Sequence, residues 1–263
     1  MGSLFDFKPL DPPAGKEQSW QERFLNSTAK SPWAIGANRS GKSECGGFDS
    51  ACRLAGFNPV TGRTYGHELR GWAVGLTDEL TDIVYRKITK YLGPEGDEWK
   101  WIASKKTIFH KETGSICRLK TVAQGRERFQ GDDLDWAWFD EEPPLDIFNE
   151  TWTRCIDRAG QIIGTMTPLN GSAWLYQVVY SSDDPDFEIH TMSMFENHLL
   201  PREEIEKTRR RYRDEDEYAI RVGGEFRLML GKAVLHIPSI QEIQKTHVCA
   251  PAFRGRLVRA IAA

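Results

Sequence analysis

The sequence predicts an α/β fold: a mainly parallel central sheet flanked by helices on both faces. Three observations predict it. The octapeptide GANRSGKS at residues 36–43 stands between an apolar run and a helical stretch. Strand-like and helix-like runs alternate between residues 21 and 195. A second apolar run, residues 134–139, leads directly into Asp140, Glu141 and Glu142. Such alternation implies parallel strands joined by crossover helices. The octapeptide has the form G-x-x-x-x-G-K-S, the Walker A loop of P-loop NTPases. An acidic residue straight after the Asp of the second run marks the ASCE type of that fold, whose catalytic Glu comes from the same strand. A charged helical stretch following the last strand predicts a small helical lid subdomain.

Residues 1–20 are Pro-rich and read as an irregular N-terminal segment; residues 21–195 read as the P-loop core. Gln21 to Leu25 begin a short helix. Residues 33–35 predict the strand before the loop and residues 41–55 the helix after it, with Gly56 as its stop and Pro59 shortly beyond. Residues 72–76 predict a second strand, and Leu80, Ile83, Val84, Ile88 and Tyr91 recur at helical spacing over 78–91. Gly93-Pro94-Glu95-Gly96 breaks that pattern. Runs 107–110 and 115–121 flank a turn at Glu112-Thr113-Gly114 and predict a hairpin. The strand over 134–139, with Trp136 and Trp138 on one face, stops at Pro143-Pro144. Residues 161–167 and 187–194 predict two further strands, with a helix over 172–180 between them. Residues 201–222 read as one charged helical stretch within a lid spanning 196–230. Its Arg209, Arg210, Arg211 and Arg213, interleaved with Glu203, Glu204 and Glu206, read as a solvated, salt-bridged face.

Composition sets outer bounds. With 263 residues, 40% hydrophobic and 28% charged, the chain can bury a sizeable core. No apolar stretch approaches the roughly 18–20 residues of a membrane span, and no signal peptide opens the sequence. Five cysteines without a C-x-x-C pair point to reduced thiols in a cytosolic setting. A net charge of −3 argues against a protein that coats nucleic acid, while leaving room for a local basic patch. The six histidines show no metal-ligand spacing.

The two motifs together predict a nucleotide site. Gly36, Ala37, Asn38, Arg39, Ser40 and Gly41 would wrap the phosphates with backbone N–H groups, aided by the helix dipole. Lys42 would reach the β- and γ-phosphates, and Ser43 would hold Mg²⁺. Asp140 would hold the same ion through water, and Glu141 would orient and deprotonate an attacking water, with Glu142 as the alternative base. Thr165 and Thr167 end a strand before Pro168, either beside the γ-phosphate or as a plain strand-to-helix turn. Arg39 could reach the γ-phosphate of its own nucleotide; Arg126 and Arg128 lie on an exposed loop before the second motif.

In this order the motifs resemble the ATPase domain of the large terminase subunit of tailed bacteriophages, the DNA-packaging motor, from Gln21 to about Phe226. Gln21 with Phe24 is similar to the family's Q-x-x-F element, whose Gln recognises adenine. An Arg at the position of Arg39 is frequent in the family's Walker A. Gln124-Gly125-Arg126-Glu127-Arg128-Phe129-Gln130-Gly131, running into Asp140-Glu141-Glu142-Pro143-Pro144, resembles one branch of the family. Thr165-Met166-Thr167-Pro168 matches its coupling motif, and Arg221 to Phe226 its exit from the ATPase domain.

The resemblance implies ATP and Mg²⁺ as cofactors. It implies double-stranded DNA, a portal protein and a small terminase subunit as partners, with a homo-oligomeric ring when assembled and a monomer in isolation. An arginine near Arg128 or Arg126 would then reach the neighbouring subunit's ATP. The setting would be the host cytoplasm, transiently on the procapsid, with no membrane. Residues 231–263 read as a linker and the truncated start of a nuclease domain, its first strand at 257–261, so nuclease activity is expected to be absent from this chain. A DExx-type helicase or translocase fragment is the alternative, since Gln21, Asp140-Glu141 and Thr165-Met166-Thr167 loosely mimic helicase motifs.

Overall fold

The computed structural model describes residues 2–169, 173–212 and 214–227. The expected linker and nuclease strand lie outside the described residues, as does Ser172 at the start of the expected 172–180 helix.

Eight strands form one sheet in the order β3-β4-β5-β2-β6-β7-β1-β8. They are β1 (Ser31–Gly36), β2 (Arg70–Gly75), β3 (Trp99–Ile102), β4 (Thr107–His110), β5 (Ile116–Thr121), β6 (Trp136–Asp140), β7 (Gln161–Met166) and β8 (Phe187–Met192). From β5 to β8 every neighbouring pair is parallel; β4 and β3 extend the sheet as antiparallel strands. β7 separates the two motif-bearing strands β1 and β6, the strand order of the ASCE type. All of β1 and β6 is buried, so each strand needs apolar side chains on both sides. Trp136 and Trp138 face one core cluster, while Ala137 and Phe139 face the other. The first cluster lies under α1 (Trp20–Asn26), α2 (Lys42–Ala55) and α3 (Asp78–Thr89), and the second under α4 (Leu145–Arg154).

Three tryptophans fill this sheet because glycines make room for them. Trp33 lies beside its register partner Gly164, where a Cβ would come within 2.0 Å of the indole. Trp136 does the same beside Gly71, at 2.1 Å. Trp138 instead meets Gly46 of α2, at 2.4 Å. A glycine inside a helix costs about 1 kcal/mol relative to alanine, and the indole under Gly46 is the reason it is there. Asp49 and Arg53 of α2 form a buried ion pair at 2.7 Å, and Arg53 also reaches Gln161 of β7. α2 ends where predicted, at Gly56 with φ 84°.

Several boundaries differ from expectation. β3 and α4 are additional elements. Pro143-Pro144 ends β6 but also opens α4: Pro144 is its N-cap, and the Pro144 carbonyl accepts from Phe148 N–H at 3.0 Å. The helix over 172–180 is one short turn, α5 (Ala173–Leu175), followed by a π turn over Tyr176–Tyr180. The helical stretch over 201–222 consists of α6 (Arg202–Arg211) and α7 (Glu215–Tyr218), the latter running into a π turn over Ala219–Gly223. Asp214 starts the second helix by accepting from the N–H groups of Asp216 and Glu217. Ile205 and Val222 of this helical segment, with Met194 of the 3₁₀ turn Met194–Glu196, bury themselves against Ala37, so the segment packs on the 36–43 loop itself. The N-terminal segment is irregular apart from a 3₁₀ turn over Leu4–Asp6, yet it packs on the core: Phe7 stacks on Phe48 at 4.0 Å and Leu10 is buried.

Candidate functional site

β1 delivers the loop and α2 carries it away. Arg39 (φ 55°) and Gly41 (φ 92°) both adopt left-handed backbone, which turns the loop tightly enough to present its N–H groups. The loop is held from three sides. Ala37 N–H donates to Met192 O of β8 at 3.0 Å, and Asn38 N–H to Arg221 O of the helical segment at 2.9 Å. Asn197 Nδ2 donates to Arg39 O at 2.7 Å. Gln21 closes the third side, its Nε2 reaching Gly41 O at 3.4 Å while its Oε1 accepts from Leu10 N–H at 2.8 Å. Gly224 (φ 75°) packs so closely that a Cβ there would fall 2.1 Å from Met192 O and 2.8 Å from Ala37 N.

Lys42 is buried and folds back on the loop, its Nζ donating to Ala37 O at 2.5 Å. Burial lowers its pKa to about 8, against the pull of the Glu141 and Asp140 carboxylates. Ser43 Oγ donates to Asp140 Oδ1 at 2.7 Å, and Thr165 Oγ1 donates to the same oxygen at 2.8 Å. Thr165 is itself fixed by the Trp138 indole N–H, 2.8 Å from its hydroxyl. Burial raises the Asp140 carboxyl, while the two hydroxyl donors act to lower it. Burial first, and then the neighbouring Asp140 charge, push Glu141 up to about 7. Glu141 stands at φ 77°, a costly conformation for a residue with a Cβ and one that clusters at functional sites. Its N–H donates to Thr165 O at 2.8 Å, and its Oε2 accepts from Thr167 N–H at 3.1 Å. Thr167 Oγ1 in turn donates to Asn38 Oδ1 at 3.0 Å.

These groups converge on a cleft of about 600 Å³ lined by Gln21, Arg39, Lys42, Ser43, Glu141 and Thr167 among others. A hydroxyl and a carboxylate in contact, both hard oxygen donors, suit Mg²⁺, which takes one or two protein oxygens and completes its shell with phosphate and water. Arg126 and Arg128 are not brought to this cleft. Both lie on the exposed 3₁₀ turn Arg126–Phe129. Arg126 Nη2 pairs with buried Glu150 at 3.1 Å, and Arg128 makes no ion pair among the described residues.

One wall of the cleft had no signal in the sequence. Glu44, next to Ser43, is gripped by Lys87, Lys90 and Tyr91 of the α3 region. Burial works against its charge, yet these three donors hold its carboxyl down at about 2. Its partners stand more than forty residues away, so only the packing of α3 on α2 reveals the cluster. Asn197 was missed because its partner Arg39 stands 158 residues away.

The family model described as terminase large subunit, T4likevirus-type, N-terminal, matches residues 34–235. This chain belongs to the terminase large-subunit family. The match settles the choice against a helicase fragment. The large terminase subunit of Salmonella phage P22 is 31% identical over an alignment covering 64% of this chain and 40% of that protein. The chain therefore spans well under two thirds of that relative's length. Among solved structures, the ATPase domain of the Thermus phage P74-26 large terminase superposes with a TM-score of 0.64 at 20% identity, covering 81% of this chain and 94% of that one. The large terminase of the thermophilic bacteriophage D6E, in complex with ADP, gives a TM-score of 0.64 at 18% identity over 79% of this chain and 52% of that one. At those identities the likeness speaks for a shared terminase P-loop fold.

Proposed function

We propose that this chain is the ATP-hydrolysing motor domain of a phage terminase, driving double-stranded DNA into a procapsid. The observation that carries the reading is that Lys42, Ser43 and Glu141 line one cleft large enough for a nucleotide, with buried Asp140 held against Ser43 at the end of β6. The ADP held by the D6E terminase supports the choice of ligand. Phosphates lie over residues 36–43, and Lys42 turns its ammonium from Ala37 O to the β- and γ-oxygens. Ser43 and Asp140 would hold Mg²⁺, which would offset the charge on the phosphates. Glu141 takes a proton from the attacking water as its oxygen bonds to the γ-phosphorus. The bond from that phosphorus to the β–γ bridging oxygen breaks, and ADP leaves with the electron pair. Glu141 lines the cleft and Glu142 does not, which favours Glu141 as the base.

Gln21 reads adenine, Arg39 acts in cis, and Arg128, with Arg126 second, serves a neighbouring subunit. Thr165 and Thr167 couple hydrolysis to movement. The partners are DNA, a portal protein, a small terminase subunit and further copies in a ring, in the host cytoplasm and transiently on the procapsid. No helix among the described residues is long and apolar enough to cross a membrane.

Steady-state ATP hydrolysis, measured against protein concentration with and without double-stranded DNA and portal-bearing capsids, tests the motor reading. Turnover indifferent to all three removes it. Lys42→Ala should lose nucleotide binding, whereas Glu141→Gln should bind and not turn over. Normal turnover in Glu141→Gln with loss in Glu142→Gln would move the base by one residue.

A further inference from the structure

Asn38 belongs to the phosphate loop, but its side chain faces the end of β7. Its Oδ1 accepts from the Thr167 hydroxyl at 3.0 Å, while its Nδ2 makes no hydrogen bond among the described residues and Asn38 lines the cleft. Thr167 is buried, and its backbone N–H is the donor that holds Glu141 Oε2, at 3.1 Å. The main chain of Asn38 is separately pinned by Arg221 O at 2.9 Å, so the loop backbone does not depend on this side-chain contact. The carboxylate of Glu141, on a left-handed residue, is thus aimed by a threonine that is itself anchored on the phosphate loop.

The geometry points to Asn38 as a positioning residue that links the terminal phosphate of the bound nucleotide to Glu141 through Thr167. This rests on Glu141 being the base. An amide has a donor end and an acceptor end, a phosphate oxygen only accepts, and a threonine hydroxyl can donate. A γ-phosphate that takes a hydrogen bond from Nδ2 therefore fixes Oδ1 toward Thr167, because the flipped amide would set oxygen against oxygen. When hydrolysis removes the γ-phosphate, the amide loses the acceptor that fixes its orientation, so its hold on Thr167, and through Thr167 on Glu141, loosens. Glu141 is aimed while the triphosphate is present and released afterwards. A threonine that instead touched the phosphate directly would act independently of Asn38, and a double-variant cycle separates the two.

The test measures kcat and the affinity for a non-hydrolysable ATP analogue in Asn38→Ala, Thr167→Val, Thr167→Ser and the Asn38→Ala/Thr167→Val pair. Thr167→Val should lower kcat about tenfold, the rate equivalent of one orienting hydrogen bond, with affinity unchanged. Thr167→Ser, which keeps the hydroxyl, should restore the rate. The double variant should lose no more than the worse single one, since both break the same chain. Losses that multiply to about a hundredfold would mean independent action and overturn the proposal. So would a Thr167→Val protein at full rate. Should Asn38→Ala weaken nucleotide binding, the Thr167→Val and Thr167→Ser pair still decides. A Glu141→Gln protein that turns over normally would sink the base assignment itself, a different failure from that of the relay.

Discussion

Arg126 and Arg128 share one exposed turn but stand in different electrostatic settings, and the difference predicts what each removal does. Arg126 pairs with Glu150, whose side chain is only 7% exposed and which also holds Arg154 at 3.0 Å. Arg126→Ala leaves Glu150 with Arg154 and, because Arg126 is more than half exposed, costs about 1 kcal/mol at most. Arg128 has no ion pair to lose among the described residues, so Arg128→Ala should change stability by less than about 0.5 kcal/mol. Reaching a neighbour's nucleotide would require Arg126 to leave Glu150 first, whereas Arg128 has no such bond to break. An arginine that stabilises the transferred phosphoryl group in trans is worth about 10³–10⁵ in rate, or roughly 4–7 kcal/mol of barrier. Arg128→Ala should therefore abolish ring-stimulated turnover in a protein that melts like the parent. The assay mixes Arg128→Ala chains with Glu141→Gln chains, each inactive alone, under assembling conditions. In a head-to-tail ring with random order, about a quarter of the interfaces join an intact Arg128 to an intact Glu141, so about a quarter of parental activity should return at equal mixing. No recovery at any ratio, with mixed rings demonstrated, would refute the trans role.

Two further outcomes follow from packing and burial. Gly46→Ala should destabilise the fold, since a Cβ 2.4 Å from the Trp138 indole is an overpacking cost of about 1–3 kcal/mol, larger than the gain in helix propensity of about 1; a raised melting temperature would contradict it. Burial holds His190 down at about 4, despite Glu188 Oε1 at 3.4 Å, well below the usual value of about 6.5. Protonation then favours the unfolded chain, so stability should fall by about 2 kcal/mol between about pH 6.5 and 5, and His190→Gln should flatten that part of the profile in denaturant titrations.

The parallel half of the sheet was legible because its strands are buried on both faces, so residues such as Trp33 to Ile35 and Trp136 to Phe139 read as unbroken apolar runs. β3 escaped because Trp99-Lys100-Trp101-Ile102 offers only two alternations, too few to stand out from a loop. α4 was hidden by a proline pair that ends one element and starts another. Residues 36–43 and 140–142 stand out in the sequence since their spacing is local. What holds them could not be, because Asn197 and Arg221 act on the loop from more than 150 residues away, and Glu44 meets Lys87 and Lys90 only after α3 packs on α2. The split between α6 and α7 turns on Asp214, whose capping role is invisible in a stretch where nearly every residue is charged.

The Trp138 indole has an optical consequence. Its N–H ends on the Thr165 hydroxyl, which ends on Asp140, so this ring is two hydrogen bonds from the carboxylate beside the phosphate loop. It is shut away from solvent, so collisional quenchers in the buffer cannot reach it directly. A change in charge at Asp140 acts on the indole dipole through that chain and shifts its emission. The difference spectrum between the parent and Trp138→Phe isolates this signal from the other tryptophans, giving the site an intrinsic fluorophore that needs no labelled nucleotide.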